Sequence, residues 1–154
     1  GEQFSISLGD GRVLVCDSQT GVTLQTLRGH SSRVWRASFS RDGRFVITCS
    51  FDNSARIWDA QTGRELQRLQ MKSWVGDASF NPDATRVVTA CGDGSIRLWS
   101  VATGREVFIL HKQKEPMFTV RFTPDGLWIV GGTIGGKLLM WNGSPQAARE
   151  PAQN

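Results

Sequence analysis

Apolar residues alternate with small or polar ones in short runs of five to eight positions, bounded by Gly, Asp, Asn and Pro, along almost the whole chain. That period of two is the signature of short antiparallel strands rather than helices. Between residues 31 and 72 the pattern predicts an inner strand from Val34 to Phe39, a turn at Arg41-Asp42-Gly43 and a second strand from Phe45 to Cys49. A tight turn at Asp52-Asn53, a third strand from Ala55 to Trp58, a turn from Asp59 to Gly63 and an outer strand from Glu65 to Leu69 complete the unit. No helix is required anywhere.

The same unit recurs with a period of 41 to 42 residues. Aligning GRVLVCDSQTGVTL from Gly11, SARIWDAQTGREL from Ser54, GSIRLWSVATGREV from Gly94 and GKLLMWNG from Gly136 superposes Cys16, Trp58, Trp99 and Trp141. A second anchor keeps the same register: Phe39, Phe80 and Phe122 recur in SFSRDGR, SFNPDATR and RFTPDGLW, each ahead of a turn holding Asp42, Asp83 or Asp125. Four strands per unit repeated at a fixed period describe propeller blades, each of which buries its faces only against its neighbours. The expectation is an all-β propeller arc of two full and two partial four-stranded blades. Residues 1–30 form a partial blade (second to outer strands, opening with Phe4 to Leu8), and 31–72 and 73–112 are full blades. Residues 113–142 form a second partial blade (inner to third strands), followed by a flexible tail over 143–154.

Gly29 and His30 ahead of one strand, with Trp58 and Asp59 closing a later one, make this pattern resemble the WD-repeat family over residues 1 to about 142. In that family a His, a hydroxyl, an Asp and a Trp hydrogen-bond inside each blade. The resemblance therefore implies a network of His30, Thr48, Asp52 and Trp58 in the second unit and of Thr89, Asp93 and Trp99 in the third, where Met71 replaces the His. In the fourth unit Gly131 and Gly135 replace the hydroxyl and the Asp, Lys112 takes the His position and His111 stands one residue out of register; the first keeps Asp10 but has Cys16 for Trp. The wording of ARIWDAQTGREL and GRFVITCSFD also resembles WD arrays of large bacterial signalling proteins, in which they serve as sensors. Ring closure typically takes about four to eight blades, so completion by further sequence or by self-association is expected, with an arc cut from a longer ring preferred.

Strands carry architecture and loops carry recognition. The family's loop leading into the inner strand and its tight turn share one face. Mapping them gives Arg33, Trp35 and Phe51, then Trp74 and Gly76, then Phe118 and Ile134, bordered by Lys72, Lys112 and Lys114. Aromatics with Arg are what an interface centre favours, although Trp35 and Trp74 could instead pack onto neighbouring blades.

Composition narrows the function further. Eighteen Lys and Arg against fourteen Asp and Glu give +4, with the basic residues spread along the chain, and Glu115 interrupts the basic loop, so a nucleic-acid surface is the second reading. Cys16, Cys49 and Cys91 are odd in number and lack a C-x-x-C pair, which fits buried thiols and neither a zinc site nor a disulfide framework. Asp42, Asp83 and Asp125 read as turn residues, not metal ligands. The glycines from Gly131 to Gly136 lack the context of a phosphate loop. Thr48, His30 and Asp52 have the composition of a hydrolase triad, but no nucleophile elbow or oxyanion motif accompanies them. No apolar stretch reaches the roughly 18 residues of a membrane span, and the N-terminal sequence is unlike a secretory signal. The expectation is a cytoplasmic, cofactor-free, non-catalytic scaffold or sensor that holds a protein or peptide on one propeller face.

Overall fold

The computed structural model describes residues 2–143. Fourteen strands form four antiparallel sheets in sequence order. The first holds β1 (Gln3–Ser7), β2 (Val13–Asp17) and β3 (Thr23–Leu27). The second holds β4 (Val34–Phe39), β5 (Phe45–Ser50), β6 (Ser54–Asp59) and β7 (Glu65–Gln70). The third holds β8 (Val75–Phe80), β9 (Arg86–Cys91), β10 (Ser95–Ser100) and β11 (Glu106–Lys112), and the last holds β12 (Met117–Phe122), β13 (Trp128–Thr133) and β14 (Leu138–Asn142). Each sheet is an up-and-down meander, the sheets do not close on one another, and the fold is the all-β propeller arc expected from the repeat. The expected flexible tail beyond Gly143 lies outside the described residues.

The central strands are buried on both faces, so their alternation separates two neighbours rather than core from solvent. On β5, Ile47 and Cys49 join Ala55, Ile57, Leu69, Val75, Val87 and Trp99 in the cluster between the second and third sheets. Val46 points the other way, with Val13, Val15, Leu27, Val34 and Trp58, into the cluster between the first and second. Val88, Ala90, Ile96 and Leu98 meet Met117, Val120 and Ile129 in a third cluster. The core is therefore three apolar layers in series, each shared by adjacent sheets. Cys16, Cys49 and Cys91 are buried, unpaired thiols, and loss of water around Cys49 and Cys91 pushes both above the ordinary thiol range.

Turn chemistry keeps the repeat in register. The residue after the tight-turn Asp has φ +64° at Asn53 and +78° at Gly94, a left-handed conformation that Gly and Asn accept most readily. At the opposite end of the sheets, Asp42, Asp83 and Asp125 each accept a hydroxyl hydrogen bond within their own turn, from Ser40, Thr85 and Thr123.

Candidate recognition face and its supporting networks

The sequence places a polar set on one side of the second sheet, and the structure assembles it into a chain of hydrogen bonds. The indole N–H of Trp58 can only donate, and it does so to Thr48 Oγ1 at 2.8 Å. The Thr48 hydroxyl then lies 2.7 Å from His30 Nε2, and His30 Nδ1 lies 2.8 Å from Asp52 Oδ2. A neutral imidazole that accepts at Nε2 and donates from Nδ1 satisfies every member. Burial drives His30 below its ordinary pKa against the opposing pull of Asp52 and keeps the ring neutral. Burial alone would raise Asp52, but hydrogen bonds from Ser54 and His30 outweigh it and hold the carboxyl at about 2.

Two members of this network were not anticipated. Ser54 donates to Asp52 Oδ1 through its hydroxyl at 2.6 Å and its backbone N–H at 3.0 Å. Arg56, buried, reaches Asp52 at 3.5 Å and Glu65 at 2.7 Å. The third sheet repeats the device: Ser95 donates to Asp93, Arg97 bridges Asp93 at 3.0 Å and Glu106 at 2.7 Å, and Trp99 donates to Thr89 at 3.0 Å. The recurrence of Asp-x-Ser-x-Arg with a Glu nine residues further on is visible in the sequence. Met71, standing where the His would, packs into the apolar layer instead. In the fourth sheet the acid comes from the loop: Glu115 accepts the Gly135 N–H at 2.7 Å and sits 3.6 Å from Lys137. His111 takes no part in such a chain and lies 5.2 Å from the Trp141 ring.

A second buried cluster ties the inner strands together. Asp77 on β8 has no exposed surface, and its Oδ1 accepts from Arg121 of β12 at 2.7 Å and from the Ala78 N–H at 2.9 Å. Its Oδ2 accepts from the Thr119 hydroxyl at 2.8 Å and the Val120 N–H at 3.1 Å, while Arg36 of β4 approaches Oδ1 at 3.4 Å. One carboxylate thus bridges three successive sheets. Arg36, Asp77 and Thr119 occupy the same repeat position, so alignment of the inner strands carried the signal.

These networks hold up one end of the sheets, where the loops before the inner strands meet the tight turns. The Phe51 N–H bonds Arg33 O, the Gly92 N–H bonds Trp74 O, and the Ile134 N–H bonds Pro116 O. Four rings from three sheets gather there in a closed circuit. Trp35 lies 5.7 Å from both Phe51 and Phe118, and Trp74 lies 6.2 Å from Phe51 and 6.4 Å from Phe118. The contacts are edge-to-face or tilted, the preferred geometry of aromatic pairs. Trp35, Phe51 and Phe118 are 41%, 44% and 38% exposed, and Ile134 is 62% exposed. Trp74 lies lower, its indole against Gly92 in a contact that leaves no room for a Cβ. Arg33 sits over the Trp35 ring, 5.4 Å from its centroid.

Of the predicted face residues, Gly76 is misplaced. It is buried beneath the rings, where a Cβ would stand 2.8 Å from the Phe118 carbonyl oxygen and 2.9 Å from the Trp74 ring. The alignment put it level with Trp35 and Phe118, but without a side chain it offers only the space that lets those neighbours close over it. Among the described residues no group of three or more His, Cys, Asp or Glu side chains converges as metal ligands would.

Comparison with known proteins points in one direction. The family model described as "WD domain, G-beta repeat" matches residues 21–59 and 63–100. The Retinoblastoma-binding protein homolog 5 of Caenorhabditis elegans is 31% identical over 147 residues, covering 92% of this chain and 32% of its own length. Eukaryotic translation initiation factor 3 subunit I of Homo sapiens is 41% identical over 66 residues, 43% of this chain and 20% of that protein. U3 small nucleolar RNA-associated protein 21 of Saccharomyces cerevisiae is 37% identical over 60 residues, 39% of this chain and 6% of that protein. The chain thus spans a third or less of these relatives. The crystal structure of the computationally designed Ika4 protein shares the fold, with a TM-score of 0.81 at 24% identity over 92% of this chain and 86% of that one.

Proposed function

Because the chain belongs to the WD-repeat family, we propose that it is a non-catalytic scaffold or sensor module that holds a protein or peptide partner on the aromatic end of its sheets. The observation that carries this reading is the circuit of Trp35, Phe51, Trp74 and Phe118, which leaves three large rings well over a third exposed at one place. Isolated exposed apolar residues are ordinary, but contiguous rings of this size mark interaction sites. Their edge-to-face packing makes the patch rigid before binding, so little conformational entropy is lost when a partner covers it. The names of two relatives, a translation factor subunit and a retinoblastoma-binding protein homologue, support protein partners for this chain as well.

Thr48, His30 and Asp52 do have the spacing of a nucleophile, base and acid. Thr48, however, is wholly buried and its oxygen already accepts the Trp58 N–H. We therefore assign the trio to holding the blade together, the role that its buried and mutually satisfied hydrogen bonds fit.

The test is a selection of displayed random peptides against the chain, followed by titration of the winners against a Trp35→Ala/Phe118→Ala variant. The expected result is at least tenfold weaker binding with a melting temperature close to wild type, since both rings stand at the surface. Peptides that bind the variant undiminished would place the partner elsewhere and end this reading.

A further inference from the structure

The charges around the rings restrict what the partner is made of. Arg33, Lys72, Lys112 and Lys114 are all exposed, and all lie on the loops or strand ends at the aromatic end. None of the four lies within ion-pair distance of a carboxylate among the described residues. The acids at the same end are already engaged. Asp52 is held by His30, Ser54 and Arg56, Asp93 by Ser95 and Arg97, and Glu115 by the Gly135 N–H and Lys137. An incoming chain therefore meets an apolar centre ringed by cations whose charge the protein itself does not neutralise.

The geometry points to an acidic peptide segment as the occupant, with Asp or Glu side chains flanking one or two large apolar residues. This rests on the preceding reading, that the aromatic end takes a protein partner, and adds its chemical class. The apolar residues would cover Trp35, Phe51, Phe118 and Ile134, and the flanking carboxylates would reach Arg33 and the three lysines. A lysine- or arginine-rich segment fits poorly on two counts. The rim repels it, and the rings pack against each other at 5.7 to 6.4 Å with Arg33 already over Trp35, leaving no ring-walled hole for another cation. Single-stranded nucleic acid would also satisfy the cations, but it binds by stacking bases on open ring faces. One face of Trp74 is taken by Gly92 and one face of Trp35 by Arg33.

The experiment reads the composition of peptides selected by display on the wild-type chain, then titrates the best binder against an Arg33→Glu/Lys72→Glu/Lys114→Glu variant and against Trp35→Ala/Phe118→Ala. An oligouridylate of similar length is titrated in parallel. The expected result is enrichment of Asp and Glu around an apolar pair, with binding about tenfold weaker in the charge-reversed variant at low salt and a smaller difference at high salt. Selected peptides that are neutral or basic, yet still lost in Trp35→Ala/Phe118→Ala, overturn the acidic assignment and leave the recognition face standing. Oligouridylate binding more tightly than any selected peptide overturns the acidic-peptide assignment in favour of nucleic acid. Peptides indifferent to both variants overturn the face itself.

Discussion

Replacing Asp77 by Ala would remove one side chain that three sheets share. In the native structure its two oxygens accept from Arg121, Thr119 and the Val120 and Ala78 N–H groups, with Arg36 nearby. Deleting a carboxylate of this kind typically costs about 3–5 kcal/mol, because its former donors are left without an acceptor. Here the side chains of Arg121 and Arg36 keep 35% and 50% exposure and so recover some hydration, which sets the expectation near the lower limit, about 3 kcal/mol. At about 2–4 °C per kcal/mol for a chain of this size, the melting temperature falls by about 6–12 °C. Asp77→Asn keeps the volume but turns one end of the group into a donor facing donors, and is expected to cost about 2 kcal/mol. Urea unfolding with an Asp77→Ala/Arg121→Ala cycle gives the coupling directly, and about 1 kcal/mol or more is expected between them. Hydrogen exchange adds location: the β12–β14 amides should lose protection before those of β5 and β6. A stability loss below about 1 kcal/mol for Asp77→Ala, or additive single variants, would refute the argument that this carboxylate clamps the sheets.

Three further outcomes follow from the same structure. Thr48→Val strands the Trp58 N–H and the His30 ring together and should cost about 2 kcal/mol, whereas Thr89→Val strands only the Trp99 N–H and should cost about 1, so a reversed order of urea midpoints would contradict the network. Stability should fall with acid in two windows. His30, lowered in the fold, resists a proton that the unfolded chain takes up as pH drops below about 6.5, and Asp52, held at about 2, withholds its contribution of about 2 kcal/mol only between its model value of 3.8 and that pH. Urea midpoints flat from pH 7 to 3 would exclude both. Gly92→Ala should push the Trp74 indole off its seat, costing about 1–3 kcal/mol and shifting tryptophan emission; an unchanged spectrum and midpoint would show that the contact is soft.

Much of this molecule was legible in its sequence, because a repeat tests its own alignment. Trp58 and Trp99 fall in register, so the strands, turns and polar network could be placed without knowing how the sheets pack. Asp77 was missed for the opposite reason. Its partners Arg36 and Arg121 lie in other repeats, and nothing within one repeat shows that β4, β8 and β12 converge. Arg56 and Arg97 were missed although their spacing to Glu65 and Glu106 recurs, since charged residues on strands next to turns read as solvated until burial shows otherwise. Glu115 looked like a break in a basic loop and instead caps the Gly135 turn in place of an absent Asp. Gly76 was assigned to the surface by position alone, and a glycine has no side chain to reach it.

Because the aromatic circuit takes Trp35 and Phe51 from the second sheet, Trp74 from the third and Phe118 from the last, no single repeat owns it. Copying one repeat cannot copy the patch, and inserting one between existing repeats would pull the rings apart while leaving every strand intact. Small changes in the angle between adjacent sheets act on it in the same way. Whatever docks there gauges how the sheets are splayed, so a force or a second ligand that opens the stack would be felt as a change in affinity at this end.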